Sequence, residues 1–544
     1  MIDSENLKKD LRQIQSSVQS DYDKMLPVWK QVAEYSQSFR GRFPNEERYA
    51  YLSRSDRVIS SALQEAGTIL SAGMQSGLTN QSTKWFKLSL ADKDLMKFKA
   101  AKEWLFDVEN VLYGLLNKSN FYDITPGAYK EMGFFGQASV LQEKSFKTGT
   151  RFYTYTCGEY MFGQNDDLEI DTHFRILNMT LAQLVRRFGL NKLPLPLKAN
   201  FENGQVSQTH VVIHAVLPNY YRIKGKIDNK NMPFLSVYYL RDIENGFLLN
   251  VSGYKRFPYH TPRWETVSSD LYGIAPAFNA LNKSLSIQKM NEARILATEY
   301  QVRPPWNVPK SIAEGIYTPN LLPGGSTVYD DSRPEARVTP TFQVQFDTQN
   351  ISMLIKEMEE NIFSHMHSDI FRMISMSDKS MTATEVAIRK EEKVVLLGPV
   401  LNNLHRGFLA PTIYTTFEHA MELDLLPPPP PELIGQDLGI EFNSMLAQAQ
   451  KMVDTQASVE FAGFVGQIAQ FNPNALKKLN ANELIDDYAE KRNVNPRIVN
   501  SNDDVEQMIQ AEQEAQMQAR QMEMAMQTLE GAKTLSDISR NNKP

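Results

Sequence analysis

Few places in this 544-residue chain put reactive side chains close enough in sequence to suggest chemistry. His365-Met-His367 with Asp369 offers three donors within five residues, of the imidazole and carboxylate types that hold transition metals. Donors bunched along one segment carry little geometric information, and no metal is expected there. Glu418-His419 and Glu422 share a helical stretch but lack the two-histidine spacing of a metalloprotease. Leu322-Pro-Gly-Gly-Ser-Thr327 has glycines but neither the lysine nor the following helix of a phosphate-cradling loop, so it reads as a turn. No Walker loop and no Gly-x-Ser-x-Gly elbow occurs anywhere, so neither an ATPase nor a serine hydrolase is expected. Glu357, Glu359 and Glu360 are more simply a solvated helix face than a catalytic pair. The expectation is a protein that is not an enzyme and needs no cofactor.

Composition narrows the class further. The length implies several packing units. Charged residues make up 22% and the formal net charge is −6, as in a globular, soluble protein. Such a balance argues against a grip on nucleic acid over the whole surface, which needs Lys and Arg to displace counterions. It does not oppose a surface past which DNA slides. A single cysteine, Cys157, excludes an intrachain disulfide and suits a reducing cytoplasm. Met1-Ile-Asp-Ser-Glu-Asn6 has no basic stretch followed by an apolar core, so no secretory signal is expected, and no apolar run approaches membrane-spanning length. With 23 Met, 22 Tyr and 28 Phe, the chain has much adaptable contact surface, suited to packing and interfaces.

The elements that carry these residues can be read in order. Residues 1 to about 130 are mainly helical: Leu7–Val32, Ser55–Leu78 and Asp94–Leu116 have helical apolar spacing, with a strand at Lys84–Leu90 whose Trp85 and Phe86 are core anchors. From Met132 to about 260 the pattern turns to strands, at Arg151–Gly158, His210–Leu217 and Phe234–Leu240, with a short helix from Thr180 to Phe188. Asp270–Tyr300 carries one stripe (Leu271, Ile274, Phe278, Leu281, Leu285), and Asn350–Met366 carries another (Ile351, Leu354, Met358, Ile362, Met366). Between them lies a Pro/Gly-rich excursion with Pro304, Pro305, Trp306, Pro309, Pro323, Gly324 and Gly325. Two striped helices around an excursion predict a helical hairpin. His367–Met381 is short, Ser/Met-rich and read as flexible. Leu433 to about Val499 reads as short helices, and Asp503–Ser539 as a polar helix with a thin Met/Ala stripe that needs identical neighbours or frays.

The most patterned stretch is Thr382–Leu426. Thr382-Ala-Thr-Glu385 is a capping-box pattern. Leu397, Leu401, Leu404, Phe408 and then, after a slip, Ile413, Phe417, Met421 and Leu425 follow a helical period. Pro399 and Pro411 predict a kink or two abutting helices, and Pro427–Pro431 end the run. On periodicity alone this is a long core helix.

The words of this stretch, namely Thr382-Ala-Thr-Glu-Val386, Leu397-Gly-Pro-Val-Leu401 and Leu426 through the five prolines to Leu433, resemble portal (head-to-tail connector) proteins of T7-like short-tailed bacteriophages. Trp85-Phe-Lys-Leu88, Phe135-Gly136, Cys157-Gly-Glu-Tyr160, and Phe174 before Met179-Thr180 fall in that family's order. The resemblance covers roughly residues 40–540 and rests on the ordered set rather than on any one word.

It implies a mainly helical α+β portal fold: a wing (1–269), a two-helix stem (270–300 and 346–366), a clip (301–345), a tunnel loop (367–381), a long wing/crown helix (382–431), a crown (432–500) and a C-terminal barrel helix (501–544). It implies a homo-oligomeric, dodecameric ring at one capsid vertex of the virion, between capsid and tail, assembled in the host cytoplasm. Double-stranded DNA would pass through it without sequence-specific contact during packaging and ejection. Implied partners are the terminase large subunit (transiently), a tail adaptor or gatekeeper ring, the major capsid protein and scaffold, and internal ejection proteins, with no membrane. Phe371, Arg372, Met373, Met376 and Lys379 fall in the tunnel loop, with Arg372 and Lys379 placed for phosphate contact. Lys356, Glu357, Glu359 and Glu360 are stem residues that either line the channel or face outward into solvent. Pro304, Pro305, Trp306, Pro309, Pro323, Gly324 and Gly325 would shape the clip for partner docking. The other reading is a ring-forming structural or scaffold virion protein with no DNA channel.

Overall fold

The structure, a computed structural model, describes the chain apart from residues 1–3, 37–38, 45, 47–49, 91, 93–94, 224, 227, 244–245, 305, 308–338, 341–347, 376–396, 434, 437, 443–457, 492–493 and 542–544. In chain order its helices are α1 (Ser4–Tyr35), α2 (Ala62–Leu78), α3 (Lys99–Lys118), α4 (Phe121–Phe135), α5 (Leu181–Phe188), α6 (Leu195–Glu202) and α7 (Pro276–Val302). They continue with α8 (Thr348–His365), α9 (Ser368–Ser375), α10 (Gly398–Leu404), α11 (Ala410–Glu422), α12 (458–469), α13 (Ala481–Lys491) and α14 (Asn502–Asn541). The strands are β1 (Phe86–Leu90), β2 (Ser139–Ser145), β3 (Gly149–Tyr155), β4 (Tyr160–Gln164), β5 (Ile170–Thr180) and β6 (Thr209–Pro218). After them come β7 (Phe234–Leu240), β8 (Phe247–Tyr254), β9 (Tyr259–His260), β10 (Trp306–Asn307), β11 (Thr339–Pro340) and β12 (Leu438–Phe442). The fold is thus mixed helix and sheet with helix predominant, as expected.

Two units result. The first takes Met1–Gln81 and Leu116–His419. Its centre is an antiparallel sheet in the order β4-β5-β6-β7-β8, with a smaller sheet β3-β2-β9. The middle strands are apolar on both faces, which is why His210–Leu217 and Phe234–Leu240 read as near-continuous β-branched and aromatic runs. Thr180 caps α5 as expected: its hydroxyl accepts from the Gln183 amide while Gln183 accepts from the Thr180 amide. α1 lays Leu7, Leu11, Val18, Tyr22, Trp29 and Val32 into the core at helical spacing. Gly136 ends α4 in the left-handed region (φ +82°), and a Cβ there would stand 2.0 Å from the Gly273 carbonyl oxygen.

The second unit takes Ser82–Leu115 and Ala420–Pro544. Trp85 and Phe86 are buried in it, as expected of core anchors. The segment after the prolines was expected to form several short helices, but Leu438–Phe442 is a strand, paired antiparallel with β1 from Phe86↔Phe442 to Leu90↔Leu438. Its partner lies about 350 residues away in sequence, so local pattern alone cannot reveal the pairing.

Three further expectations shift. α2 begins at Ala62 rather than near Ser55, because Ala50–Arg57 is a 3-10 turn. α7 begins at Pro276, where the missing N–H costs nothing, leaving Leu271 and Ile274 outside it. Its buried face is Ala277, Ala280, Leu281, Ser284, Ile287, Gln288 and Asn291, while Phe278 and Leu285 are half-buried. Near Pro411 the chain widens into a π turn at His405–Leu409 between α10 and α11. Proline cannot bond back to the Gly407 carbonyl, and the wider turn absorbs that loss. Ile413 is buried as expected, with Thr412, Thr416 and Ala420 beside it, but Met421 and Leu425 are exposed, because repeated four-residue steps drift off a period of about 3.6 residues. The capping-box sequence at Thr382–Glu385 lies outside the described residues.

Candidate functional site

α7 and α8 pack against each other, and their far ends are joined by the short antiparallel pair of Trp306–Asn307 with Thr339–Pro340. The predicted helical hairpin is therefore present. Leu281, Gln288, Ile295 and Val302 recur every seven residues on one face of α7. The first two are buried, but Ile295 is 44% and Val302 70% exposed. The stripe runs on after its own chain has stopped covering it. α8 does the same at its start, where Met353 is 70% and Leu354 47% exposed. Its inward face is Ile355, Ile362, Phe363 and Met366, so Ile355 takes the place expected of Leu354.

The four stem candidates divide. Lys356, Glu357 and Glu360 are exposed, with Glu357 and Glu360 one turn apart on the side away from Ile355 and Ile362. Glu359 is half-buried; burial, and then the nearby Glu65 carboxylate, push its carboxyl upward against the pull of Arg294.

The segment read as a flexible loop is, over Ser368–Ser375, a helix. The chain breaks at His367, in the left-handed region (φ +52°), and turns at once into α9. Ser368 is fully buried and donates to the Phe363 carbonyl at 2.9 Å, and Ile370 is buried. Phe371 lies across Gly73 of α2, so that a Cβ on that glycine would stand 2.1 Å from the ring. The Arg372 guanidinium sits 4.5 Å above the Phe363 ring. Met373 continues the helix. Apolar residues at Ile370, Phe371 and Ile374 and the small hydroxyl at Ser368 could have signalled this turn. Met376 and Lys379 lie outside the described residues.

Of the clip candidates, Pro304 is half-buried after α7 and Trp306 begins β10. Pro305, Pro309, Pro323, Gly324 and Gly325 lie outside the described residues. At the His365-Met-His367 cluster, His365 is exposed and Met366 buried, while the His367 ring stacks against Trp264 with centroids 6.0 Å apart. Among the described residues, no three His, Cys, Asp or Glu side chains converge as metal ligands.

Sequence reading missed a buried polar chain in the sheets. Ser139 Oγ meets His173 Nε2 at 2.8 Å, and His173 stacks on Tyr259 at 3.6 Å. The Tyr259 hydroxyl meets His214 Nδ1 at 3.0 Å, and His214 Nε2 meets Ser236 Oγ at 2.9 Å. Beside them His260 Nε2 lies 2.6 Å from Gln142, whose amide donates to Thr416 at 2.9 Å. Burial pushes His214 and His260 down to about 3, and His173 well below its usual range. The two Ser–His pairs are closed off from solvent; Ser139–His173 joins the two sheets and His214–Ser236 joins neighbouring strands, so neither activates a nucleophile. A histidine amid β-branched residues, as in His210-Val-Val-Ile-His214, was the one available signal. The Cys157 thiol is likewise buried and pushed well up, which leaves it unreactive.

Residues 8–499 match the family model described as bacteriophage head to tail connecting protein. The chain belongs to that family. A "Probable portal protein" of Bordetella phage BPP-1 is 32% identical over 523 residues, covering 96% of this chain and 94% of the relative. A "Portal protein" of Salmonella phage epsilon15 is 32% identical over 514 residues, covering 94% and 92% respectively. As a head-to-tail connecting protein, the chain has its hairpin α7–α8, α9 and both sheets within the matched residues, while α14 follows them. Among the described residues, no helix is long and apolar enough to cross a membrane.

Proposed function

We propose that this chain is the repeating wedge of a phage portal: a dodecameric ring at one capsid vertex through which double-stranded DNA is packaged and later leaves. The observation that carries the reading is the α7 stripe that loses its own-chain cover beyond Asn291, in a chain that matches head-to-tail connecting proteins over residues 8–499. A heterologous contact repeated about an axis closes into a ring when its rotation closes. Neighbouring copies would then cover Ile295 and Val302 on one side and Leu354 on the other.

In this reading residues 1–269 are wing, α7 and α8 are stem, 301–345 are clip, 432–500 are crown and α14 contributes to a C-terminal barrel. The tunnel loop is narrowed to the residues that follow Ser375. Duplex DNA carries a negative charge about every 1.7 Å of axis, so a strongly cationic lining would brake it. Exposed Glu357 and Glu360 suit a lining that keeps the duplex centred and mobile. The clip docks the terminase motor and later the tail adaptor; the chemistry of translocation belongs to the motor.

A symmetric reconstruction of the purified protein is the test, with light scattering beside it. A ring with a central hole and a flared profile is expected. A stable monomer, or a ring with no hole, overturns the proposal.

A further inference from the structure

The hairpin of β2 and β3 ends in a turn that carries a bare aromatic ring beside two cations. Phe146 is 89% exposed, and Lys144 and Lys147 are exposed with it. The turn is braced from within. The Thr148 amide donates to Ser145 Oγ at 3.3 Å, the Thr148 hydroxyl donates to the Thr150 carbonyl at 2.8 Å, and Gly149 supplies a left-handed residue (φ +79°). A large ring held out in water on a braced turn is the kind of anchor that fills a pocket on a partner.

A pocket of matching chemistry lies on the five-stranded sheet. It is a cleft of about 680 Å³ between α1 and the ends of β4, β5 and β6. Pro218, Tyr220 and Leu271 line it, together with Asp166, Asp171 and Asp270. Lys24 lines it too but is already paired with Asp21 at 2.8 Å. Among the described residues, none of the other three carboxylates forms an ion pair. Asp171 is half-buried and accepts from the Thr172 hydroxyl at 2.9 Å; burial pushes its carboxyl upward.

Tip and cleft belong to opposite faces of that sheet. Successive residues of a strand point to opposite faces. On β5, Thr172 lines the cleft and faces α1: a Cβ on its cross-strand partner Gly163 would meet both Thr172 and Val18. The next residue, His173, meets Ser139 at the start of β2 on the other face. The small sheet with the tip therefore covers one face, and the cleft opens on the other. A donor and an acceptor on opposite faces suit a head-to-tail contact between copies.

We propose that the β2–β3 tip of one copy seats in the cleft of the next, with Phe146 against Pro218, Tyr220 and Leu271 and the two lysines among the three aspartates. The proposal rests on the ring reading and deepens it, because it names a surface that each copy presents to its neighbour. Matched charges of this kind fix which surfaces meet more than they add affinity.

The full chain tests this with two charge-reversed variants, Lys144→Glu with Lys147→Glu, and Asp166→Lys with Asp270→Lys. All four are exposed positions, and urea midpoints equal to wild type show that each variant folds. In light scattering, each variant alone needs roughly tenfold more protein to form rings, since like charges meet at every junction. Mixed in equal amounts, the two assemble at wild-type concentration, because each junction between unlike copies again pairs opposite charges. Phe146→Ser, which leaves charge alone, needs roughly threefold more protein. Rings at wild-type concentration from either charge variant, or from Phe146→Ser, overturn the inference and leave the ring reading standing; the cleft is then free for another protein. A mixture that fails as its components do also overturns it, because the loss then lies outside the junction. A wild-type chain that forms no ring at any concentration removes the ring reading and the inference with it.

Discussion

His214 and Tyr238 lie face to face, with ring centroids 4.0 Å apart and planes 3° from parallel. Arg187 lies over the other partner of the stack, its guanidinium 4.8 Å from the Tyr238 ring and bonded to the Tyr238 hydroxyl. Nothing in this arrangement welcomes a second positive charge, and burial, then Arg175 and Arg187, hold the imidazole neutral. His260, buried beside Gln142, is held neutral by burial and then by nearby His419.

A pH dependence follows. Both imidazoles fall from an ordinary 6.5 to about 3 in the fold, so between those values the unfolded chain binds more protons than the native one. Stability from these two groups is fully present above pH 6.5 and is lost as pH falls toward 3. At pH 5 each should cost about 2 kcal/mol relative to pH 7.5. Urea midpoints of the wild type and of His260→Gln at the two pH values check this. The variant should lose less stability on acidification, and parallel losses would rule the linkage out.

Gly136 should tolerate no side chain. Its left-handed φ and the Gly273 carbonyl 2.0 Å from an added Cβ place backbone against backbone, where nothing can swing aside. Gly136→Ala should destabilise the first unit by at least ~2 kcal/mol. The drop is read from the denaturation midpoint, with Gly189→Ala as control. That residue is also left-handed but has open space around it, so it should lose less.

Ile295→Asp tests the ring directly. Ile295 is 44% exposed in the single chain, so monomer stability should change by no more than about 0.5 kcal/mol. Ring assembly, followed by light scattering, should fall sharply because a charge would be buried between copies. Rings forming at wild-type concentration would show that this face stays open to water.

Reversing charge on α8 tests the lining. Glu357→Lys with Glu360→Lys should leave rings intact and slow DNA translocation at low salt, with recovery as salt rises, since phosphate contacts weaken with ionic strength. A rate that is slowed equally at all salt concentrations, or not slowed at all, would place these residues away from the duplex.

How much was legible in the sequence depended on the range of the interaction. The hairpin was readable because each of α7 and α8 carries its own stripe, and Thr180 declared a cap three residues from its partner Gln183. The π turn at His405–Leu409 was legible as the five-residue step from Phe408 to Ile413, but Met421 and Leu425 were misread because steps of four residues drift off the helical period. α9 was misread because Ser368, Met373 and Ser375 look like loop, while the glycine its Phe371 ring packs on, Gly73, lies 298 positions earlier. β12 and the histidine chain failed for the same reason: their partners are remote in sequence. Among the functional candidates, the exposed Glu357 and Glu360 were readable as a face, but the packing of Phe371 on Gly73 was not.

The pairing of β1 with β12 sets a timetable for synthesis. Leu90 emerges from the ribosome long before its partner Leu438 is made. At about 5–20 residues per second the wait is roughly twenty to seventy seconds. Throughout it, β1 is a strand without its partner, the kind of segment that pairs with other chains. A cell producing many such chains at once must either shield that strand or lose material to cross-strand clumping. The yield of folded chain is then decided partly while the chain is still being made.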